Sequence, residues 1–383
     1  MPSVSSSFPT PSPIFVDPKS PGALTPFMKW PGGKSSELPK IALAAPRSAG
    51  RYIEPFLGGG SVLLGVESSV PALGNDMVPE LINLYKASAS GSVTHLRMLE
   101  TIAHIWRSFE SFELLYQDQA SQFVANRLSA EHLVSEFANA ELIATLENMG
   151  LAQEFLKRLT KDLPKKLVRM KELEKIHGRN LPAEEAAANI EGSVRAAFYM
   201  AMREKYNYLR CNNVDSVERD AAFFFIREYC YASMFRFNAN GEFNVPYGGL
   251  SYNRKDFTVK VSALFAPQMQ LRLGNSEFHL ADFRDFLDNV KPVAGDFVFV
   301  DPPYDSDFSN YDDREFVESD QMRLARYLSE LEANVMIVIS ETPLIRRLYP
   351  EDKWHIQTDE MLYKWTVKSR NNRRANHLTI TNY

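Results

Sequence analysis

The stretch "DFVFVDPPYDSDF", Asp296 to Phe308, runs from a short apolar segment, Phe297 to Val300, straight into two prolines. The apolar segment reads as a strand. Pro302 and Pro303 then lock the backbone at its carboxyl edge, where open α/β sheets place their ligands. Asp301 stands at that junction and Tyr304 follows it.

The residue types at this junction match one particular chemistry. An exocyclic amino group on a base is a poor nucleophile, because its lone pair is delocalised into the ring. A carboxylate and a backbone carbonyl that accept its two hydrogens favour the pyramidal geometry that exposes the lone pair. Asp301 and the Pro302 carbonyl can supply both acceptors, Pro303 stiffens the turn, and Tyr304 can stack on the planar base. With an activated methyl donor no metal or strong general base is required, and alignment does most of the work. The plain alternative is a structural Pro-Pro turn. The acids that follow, "DSDFSNYDD", do not make a calcium loop, since Asn310 occupies the sixth position, where glycine is required.

Upstream, "RYIEPF" reads as a strand that ends in the glycine-rich turn "EPFLGGGS", Glu54 to Ser61, with "SVLLGVESS" as the helix that follows. "PALGNDM" is a short second strand and "VPELINLYKAS" a second helix. Gly58 and Gly60 let a ligand approach the backbone closely. Asp76, at the end of the next strand, is placed to hold both hydroxyls of a ribose. The third glycine of a dinucleotide fingerprint is missing, with Leu63 in its place. A site with a ribose acid and no phosphate requirement suits S-adenosylmethionine. The bland reading is a tight strand-to-helix turn.

"MKWPGGKSS", Met28 to Ser36, looks like a phosphate loop until its spacing is counted. Such a loop needs glycine five residues before Gly33, and Met28 is there. Methionine blocks the tight wrap, so Lys34 serves something other than a nucleotide phosphate.

Downstream, "SDQMRLARYLSELEAN" is an amphipathic helix and "VMIVIS" a buried strand. "MLYKWTV" and "ANHLTITNY" pair antiparallel across an Asn371-Asn372 turn. Between the α/β halves lies a helical stretch from about Val93 to Asn207. There Leu156, Leu159, Leu163, Leu167, Met170 and Leu173 share one helical face, until Gly178 stops the helix. The α/β core is therefore split by an insert.

Composition narrows the classes further. A hydrophobic content of 45% with 24% charged residues describes an ordinary globular chain, and no apolar run is long enough to span a bilayer. The opening "MPSVSSSFPTPSPIF" is a disordered tail rather than a signal peptide. Cys211 and Cys230 make neither a metal site nor a disulfide framework, and fit a reducing compartment. A net charge of −5 does not announce nucleic acid, yet basic residues crowd Lys157–Arg179 and Lys364–Arg374. Each cluster reads either as a solvated face or as a DNA surface.

Taken together, the motifs resemble the Dam-like DNA adenine-N6 methyltransferases. "FMKWPGGK", "YIEPFLGGGSVLL" and "NDMVPELINLY" are similar to that family's cofactor motifs. "FRFNANGEFNVPYGG" is similar to its DNA-contacting hairpin, "GDFVFVDPPY" to its catalytic motif and "LTITNY" to its ending. The motifs occur in the family's order and cover most of the chain outside residues 1–24 and about 90–190. The resemblance implies a Rossmann-like mixed sheet that binds S-adenosylmethionine and carries an inserted helical DNA-recognition domain. The disordered tail would cover residues 1–24, the catalytic domain 25–90 and 270–383, and the recognition insert with its hairpin 91–269.

It also implies that Trp30, Lys34, Glu54, Phe56, Gly58, Gly60, Asp76, Asp282, Phe283 and Asp301 line the cofactor. Arg236, Asn238, Asn240, Asn244 and Arg254 would contact DNA. Asn240-Gly241 signals a tight hairpin, and a two-stranded ribbon fits the major groove. The implied substrate is double-stranded DNA with a flipped-out adenine, in the cytoplasm of a bacterial, archaeal or phage-infected cell. A cognate restriction endonuclease is the implied partner, and neither a metal nor a membrane is involved. Two departures fall where the family reads its DNA site: the insert is long, and "CYASMFRFN" replaces the usual run before the hairpin. A GATC specificity therefore does not carry over. An N4-cytosine or RNA-adenine methyltransferase and a non-catalytic DNA-binding relative remain the alternatives.

Overall fold

Tyr52–Glu54 (β1), Ala72–Asp76 (β2), Ser276–Leu280 (β3), Phe297–Val300 (β4), Asn334–Ser340 (β5), His355–Leu362 (β6) and Arg374–Thr381 (β7) form one seven-stranded sheet. Its order is β3-β2-β1-β4-β5-β7-β6. The computed structural model describes residues 14–17, 20, 22–125, 130–137, 140–303, 316–362 and 374–383. By contact the chain divides into a sheet unit (Met1–Pro26, Gly32–Gly91 and Ala266–Tyr383) and a helical unit (Phe27–Pro31 and Ser92–Phe265).

In the sheet unit, β3, β2, β1, β4 and β5 run parallel, while β7 is antiparallel to both β5 and β6. The chain walks outward from β1 to β2 and β3, then returns to the other side of β1 as β4. Ile53 sits opposite Val298 where the order reverses. That reversal opens a crevice at the carboxyl ends of β1 and β4, the place where such sheets bind ligands. Alternation along β4 explains its unbroken apolar run. Val298 and Val300 join a core with Phe283, Phe286, Leu324, Leu328 and Ile345 from the flanking helices. On the other face, Phe297 packs against Tyr52 and Phe15 at ring-centroid distances of 5.8 and 6.4 Å. A strand covered on both faces has no position for a polar side chain.

Two expectations change here. Ile14 and Phe15, inside the stretch read as a disordered tail, are buried, and Phe15 bridges Val66. The helix expected over Ser61–Ser69 is a single 3₁₀ turn, Leu63–Gly65. One cause explains both. The Gly65 carbonyl accepts from Val16 N at 2.9 Å and Glu67 N donates to the Ile14 carbonyl at 2.9 Å. The incoming segment takes the backbone partners that a continuing helix would have used. Strand β3 has no counterpart in the sequence reading; only Phe278 along it is buried.

The helical unit is built on helices Ala152–His177 and Ala183–Cys211, which pack along each other. Leu159, Leu163, Leu167 and Met170 face inward from the first of them. Lys161, Lys165, Lys166 and Arg169 on the same helix are exposed. Arg195 is fully buried against Trp106, to whose carbonyl it donates at 2.9 Å, and Glu191 holds its Nε at 2.6 Å. A buried guanidinium needs such partners, since stripping it of water is otherwise costly.

Candidate active site

At the carboxyl end of β1 the turn Glu54–Ser61 folds back on β2. Gly58 and Gly60 take φ values of +48° and +65°, a region that a residue with Cβ enters at a cost. A side chain at Gly60 would also run into the Tyr85 hydroxyl. The turn is pinned by Asp76: one carboxylate oxygen accepts from Gly58 N at 2.8 Å and the other from Val78 N at 3.0 Å. The buried Asn75 beside it ties three segments together. Its amide donates to the carbonyls of Pro55 and Ala281 at 3.1 and 2.9 Å and accepts from Ala281 N at 3.1 Å.

Across the switch point, Asp301 directly follows β4. Lys34 Nζ donates to its Oδ2 at 2.6 Å and to the Gly32 carbonyl at 2.9 Å. Lys34 N in turn donates to Ser61 Oγ at 2.9 Å. This lysine is 2% exposed and faces a carboxylate, so the geometry agrees with the rejection of a phosphate loop. Burial raises the Asp301 carboxyl above the usual carboxylate range, and the Lys34 ammonium pulls it back. Glu54 lies deeper: burial pushes its carboxyl well up, while the Tyr52 hydroxyl, donating at 2.8 Å, works against the rise. The charges of Asp301 and Asp76 push Glu54 further, which places three acids in one electrostatic neighbourhood.

Aromatic rings form one side of the site. Phe56 lies 5.5 Å from Phe283 and 5.6 Å from Phe316, and the Arg323 guanidinium lies 4.6 Å from the Phe283 ring. Asp282 caps the helix Phe283–Val290 through Arg284 N at 2.9 Å and pairs with Arg323 at 2.8 Å. Pro302 is buried, and the Pro303 carbonyl accepts from Gln321 Nε2 at 2.9 Å. Gln321 is itself fully buried, and its Oε1 has no hydrogen-bond partner among the described residues. Tyr304 and the acids after it lie outside the described residues. Asn75 and Gln321 went unnoticed in the sequence. A signal for Gln321 exists, because it shares the apolar stripe of Leu324, Ala325 and Leu328.

Trp30 belongs to the helical unit. Its ring lies 5.4 Å from Phe235, and the Arg227 guanidinium is 5.6 Å away. Arg227 is buried, which lowers its proton affinity. It donates to the carbonyls of Met234 and Lys29 at 2.7 and 3.1 Å, tying the hairpin stem to the Phe27–Pro31 segment.

The hairpin itself departs from a two-stranded ribbon. Its arms form no continuous ladder and meet in isolated antiparallel bridges, Phe237 to Phe243 near the turn and Cys230 to Tyr247 further along. The turn is wider than two residues: Asn238 N donates to the Glu242 carbonyl at 2.9 Å, and Gly241 N to the Asn238 carbonyl at 2.9 Å. Gly241 takes a φ of +73°, the bulge position after a type I turn. Asn238 is consumed in building this turn, accepting from Asn240 N and Glu242 N at 3.0 Å each. Arg236 Nε donates to Asn244 Oδ1 at 2.7 Å. Arg236, Asn240 and Arg254 are exposed. The second basic cluster, from Lys364 to Arg373, lies outside the described residues.

Among the described residues no group of three or more His, Cys, Asp or Glu side chains is arranged to hold a metal, and no helix is long and apolar enough to cross a membrane.

The chain is 25% identical over 332 residues to the Type II methyltransferase M.MjaIII of Methanocaldococcus jannaschii, a match that covers 80% of each chain. It is 24% identical over 372 residues to the Type II methyltransferase M1.LlaDCHI of Lactococcus lactis, covering 94% of this chain and 96% of that one. With the DNA N-6-adenine-methyltransferase of Escherichia phage P1 it shares 26% identity over 339 residues, and there it spans 32% of the longer phage protein. A sequence profile extends over residues 30–362, from the tryptophan before the lysine turn to the end of β6, and by it the chain belongs to the D12 class of N6 adenine-specific DNA methyltransferases.

Proposed function

We propose that this chain is a site-specific enzyme that transfers a methyl group from S-adenosylmethionine to N6 of an adenine flipped out of double-stranded DNA. The observation that carries the reading is the Asp301–Lys34 pair at the end of β4, directly before Pro302 and Pro303, at the switch point of the sheet.

The donor set fits the cofactor. The glycine turn is bordered by Asp76, with Glu54 and Asp301 in the same neighbourhood. Ionised carboxylates such as Asp76 beside a turn would repel a phosphate and attract a cation. S-adenosylmethionine supplies an activated methyl group on a positive sulfonium, together with a ribose and a charged amino group. Asp76 would hold the ribose hydroxyls, Phe56 and Phe283 would flank the adenine ring, and Asp282 would border it from the helix it caps. Gly58 and Gly60 would let the ligand lie against the backbone, and Lys34 and Glu54 would complete the lining.

At the reacting end, Asp301 and the Pro302 carbonyl would accept the two hydrogens of the target amine, and Tyr304 would stack on the base. Lys34 works against the effect of burial on Asp301 and aims its carboxylate. The amino group is unreachable within the base stack, so the target has to leave the helix. Arg236, Asn240, Asn244 and Arg254 would read or flank the site from the hairpin, with Asn238 holding the turn. Lys165 and Lys166 would touch phosphates. The enzyme would act in the cytoplasm of a bacterial, archaeal or phage-infected cell, and a restriction endonuclease of matching site would be its partner.

The test is methyl transfer from tritiated S-adenosylmethionine to duplex DNA, RNA and cytosine-only targets, followed by sequencing for N6-methyladenine. Label confined to one adenine motif in duplex DNA is expected. Label on cytosine N4 or on RNA alone would replace this reading with the corresponding alternative, and no cofactor binding would point to a non-catalytic relative.

A further inference from the structure

Glu37 and His377 form a pair that the chemistry above leaves unused. Glu37 Oε2 lies 2.9 Å from His377 Nδ1, and the two side chains are 12% and 5% exposed. Glu37 is the N-cap residue of helix Leu38–Ala44, yet its carboxylate makes no cap hydrogen bond there. It reaches to β7 instead, where His377 sits opposite Ser340 of β5 and Asp359 of β6. The same helix is tied a second time, by Lys40 Nζ to Asp359 Oδ1 at 2.7 Å.

The other end of this helix start is Lys34. Its carbonyl accepts from Glu37 N at 2.9 Å and from Leu38 N at 2.8 Å. One backbone hydrogen bond therefore separates Glu37 from the residue whose ammonium holds Asp301 at 2.6 Å. The charges of Glu37 and His377 also act on the Asp301 carboxyl, in opposite senses. A buried polar pair adds little net stability, because desolvation offsets its attraction. Such a pair does fix where two segments sit.

We propose that Glu37 and His377 are positioning residues, which hold the Lys34 turn at a set place on β7 so that the lysine meets Asp301 in the geometry methyl transfer needs. The proposal rests on the reading of Asp301 as the acceptor for the target amine.

Single-turnover methyl transfer and cofactor affinity separate this role from a merely structural one. Glu37→Ala should lower the single-turnover rate about ten- to a hundredfold, the scale of a 1 Å misplacement, with cofactor affinity nearly kept. Glu37→Gln retains an acceptor for His377 and should recover most of that loss. The double variant Glu37→Leu/His377→Leu replaces a buried hydrogen-bonded pair with apolar contact, which is close to neutral for stability, so it should fold. It should be as slow as Glu37→Ala. A folded double variant with the parent rate would overturn the proposal. Asp301→Ala runs in parallel: if it stays active, the acceptor reading is what fails, and if it is inactive beside a fully active double variant, the positioning role alone fails.

Discussion

Lys34 Nζ and Asp301 Oδ2 meet at 2.6 Å, joining the turn that precedes the helix Leu38–Ala44 to the end of β4. The lysine counteracts what burial does to the carboxylate. Removing it in Lys34→Met should therefore raise the proton affinity of Asp301. Only the ionised form offers both oxygens as acceptors, so the acid limb of the rate profile should move to higher pH. An unmoved limb would mean that Asp301 ionisation does not govern transfer.

Asp301→Ala should abolish methyl transfer and leave DNA binding largely intact, because phosphate contacts supply most of the affinity. Filter binding on duplex DNA beside a tritium-transfer assay checks both halves. Near-normal turnover would remove Asp301 from the mechanism.

Asp76 accepts from two backbone amides. Asp76→Ala should weaken cofactor binding and also destabilise the turn, since an orphaned buried N–H costs about 1–3 kcal/mol. Asp76→Asn keeps one acceptor and should lose less on both counts. Calorimetry giving unchanged cofactor affinity in Asp76→Ala would reject the ribose assignment.

Glu54 supplies a pH signature. Its carboxyl binds a proton more tightly folded than unfolded, because burial raises it. From the usual carboxylate range up to the raised value, the folded state therefore holds a proton that the unfolded state has released. Stability falls as pH rises through that window, with a slope of up to about 1.4 kcal/mol per pH unit. Glu54→Gln preserves an acceptor for Tyr52 and should flatten that slope. Urea unfolding across the window decides it, and a slope as steep in the variant would place the titration elsewhere.

In the hairpin, the exposed Asn240 and the turn-building Asn238 should behave differently. Asn240→Ala or Arg236→Ala should relax or change the methylated motif, with each base contact worth about 1–3 kcal/mol of discrimination. Asn238→Ala should chiefly lower stability, by about 1 kcal/mol for its local hydrogen bonds. Lys165→Ala with Lys166→Ala should weaken binding on all sequences and flatten its salt dependence. Methylome sequencing of the hairpin variants is decisive: an unchanged motif in all of them would move recognition elsewhere.

The strands that carry Asp301 and Asp76 were legible because both satisfy short-range rules. The run Phe297–Val300 is buried throughout, and an unbroken apolar segment before two prolines has few other readings. Strand β3 was illegible because it is an edge strand, with little but Phe278 to bury. The missing helix after Gly60 was also out of reach, since Val16 and Ile14 remove its backbone partners from far upstream. The pairing of Glu37 with His377 spans 340 positions, and no local pattern encodes it. Gln321 lay between these cases: its place in an apolar stripe was visible, but not the Pro303 carbonyl it serves.

Strand β7 lies between β5 and β6, although both are made before it. During synthesis the ribosome delivers β6 with no neighbour to pair with, and that strand must wait for Arg374–Thr381 to emerge. His377 arrives at the same late moment. A nascent chain that has already displayed Lys34 and Asp301 still lacks the strand that anchors the lysine turn. Docking of the lysine turn is thereby deferred until β7 has emerged, and a chain stopped after β6 would leave the β5 edge bare and β6 without a partner, both prone to association with other chains.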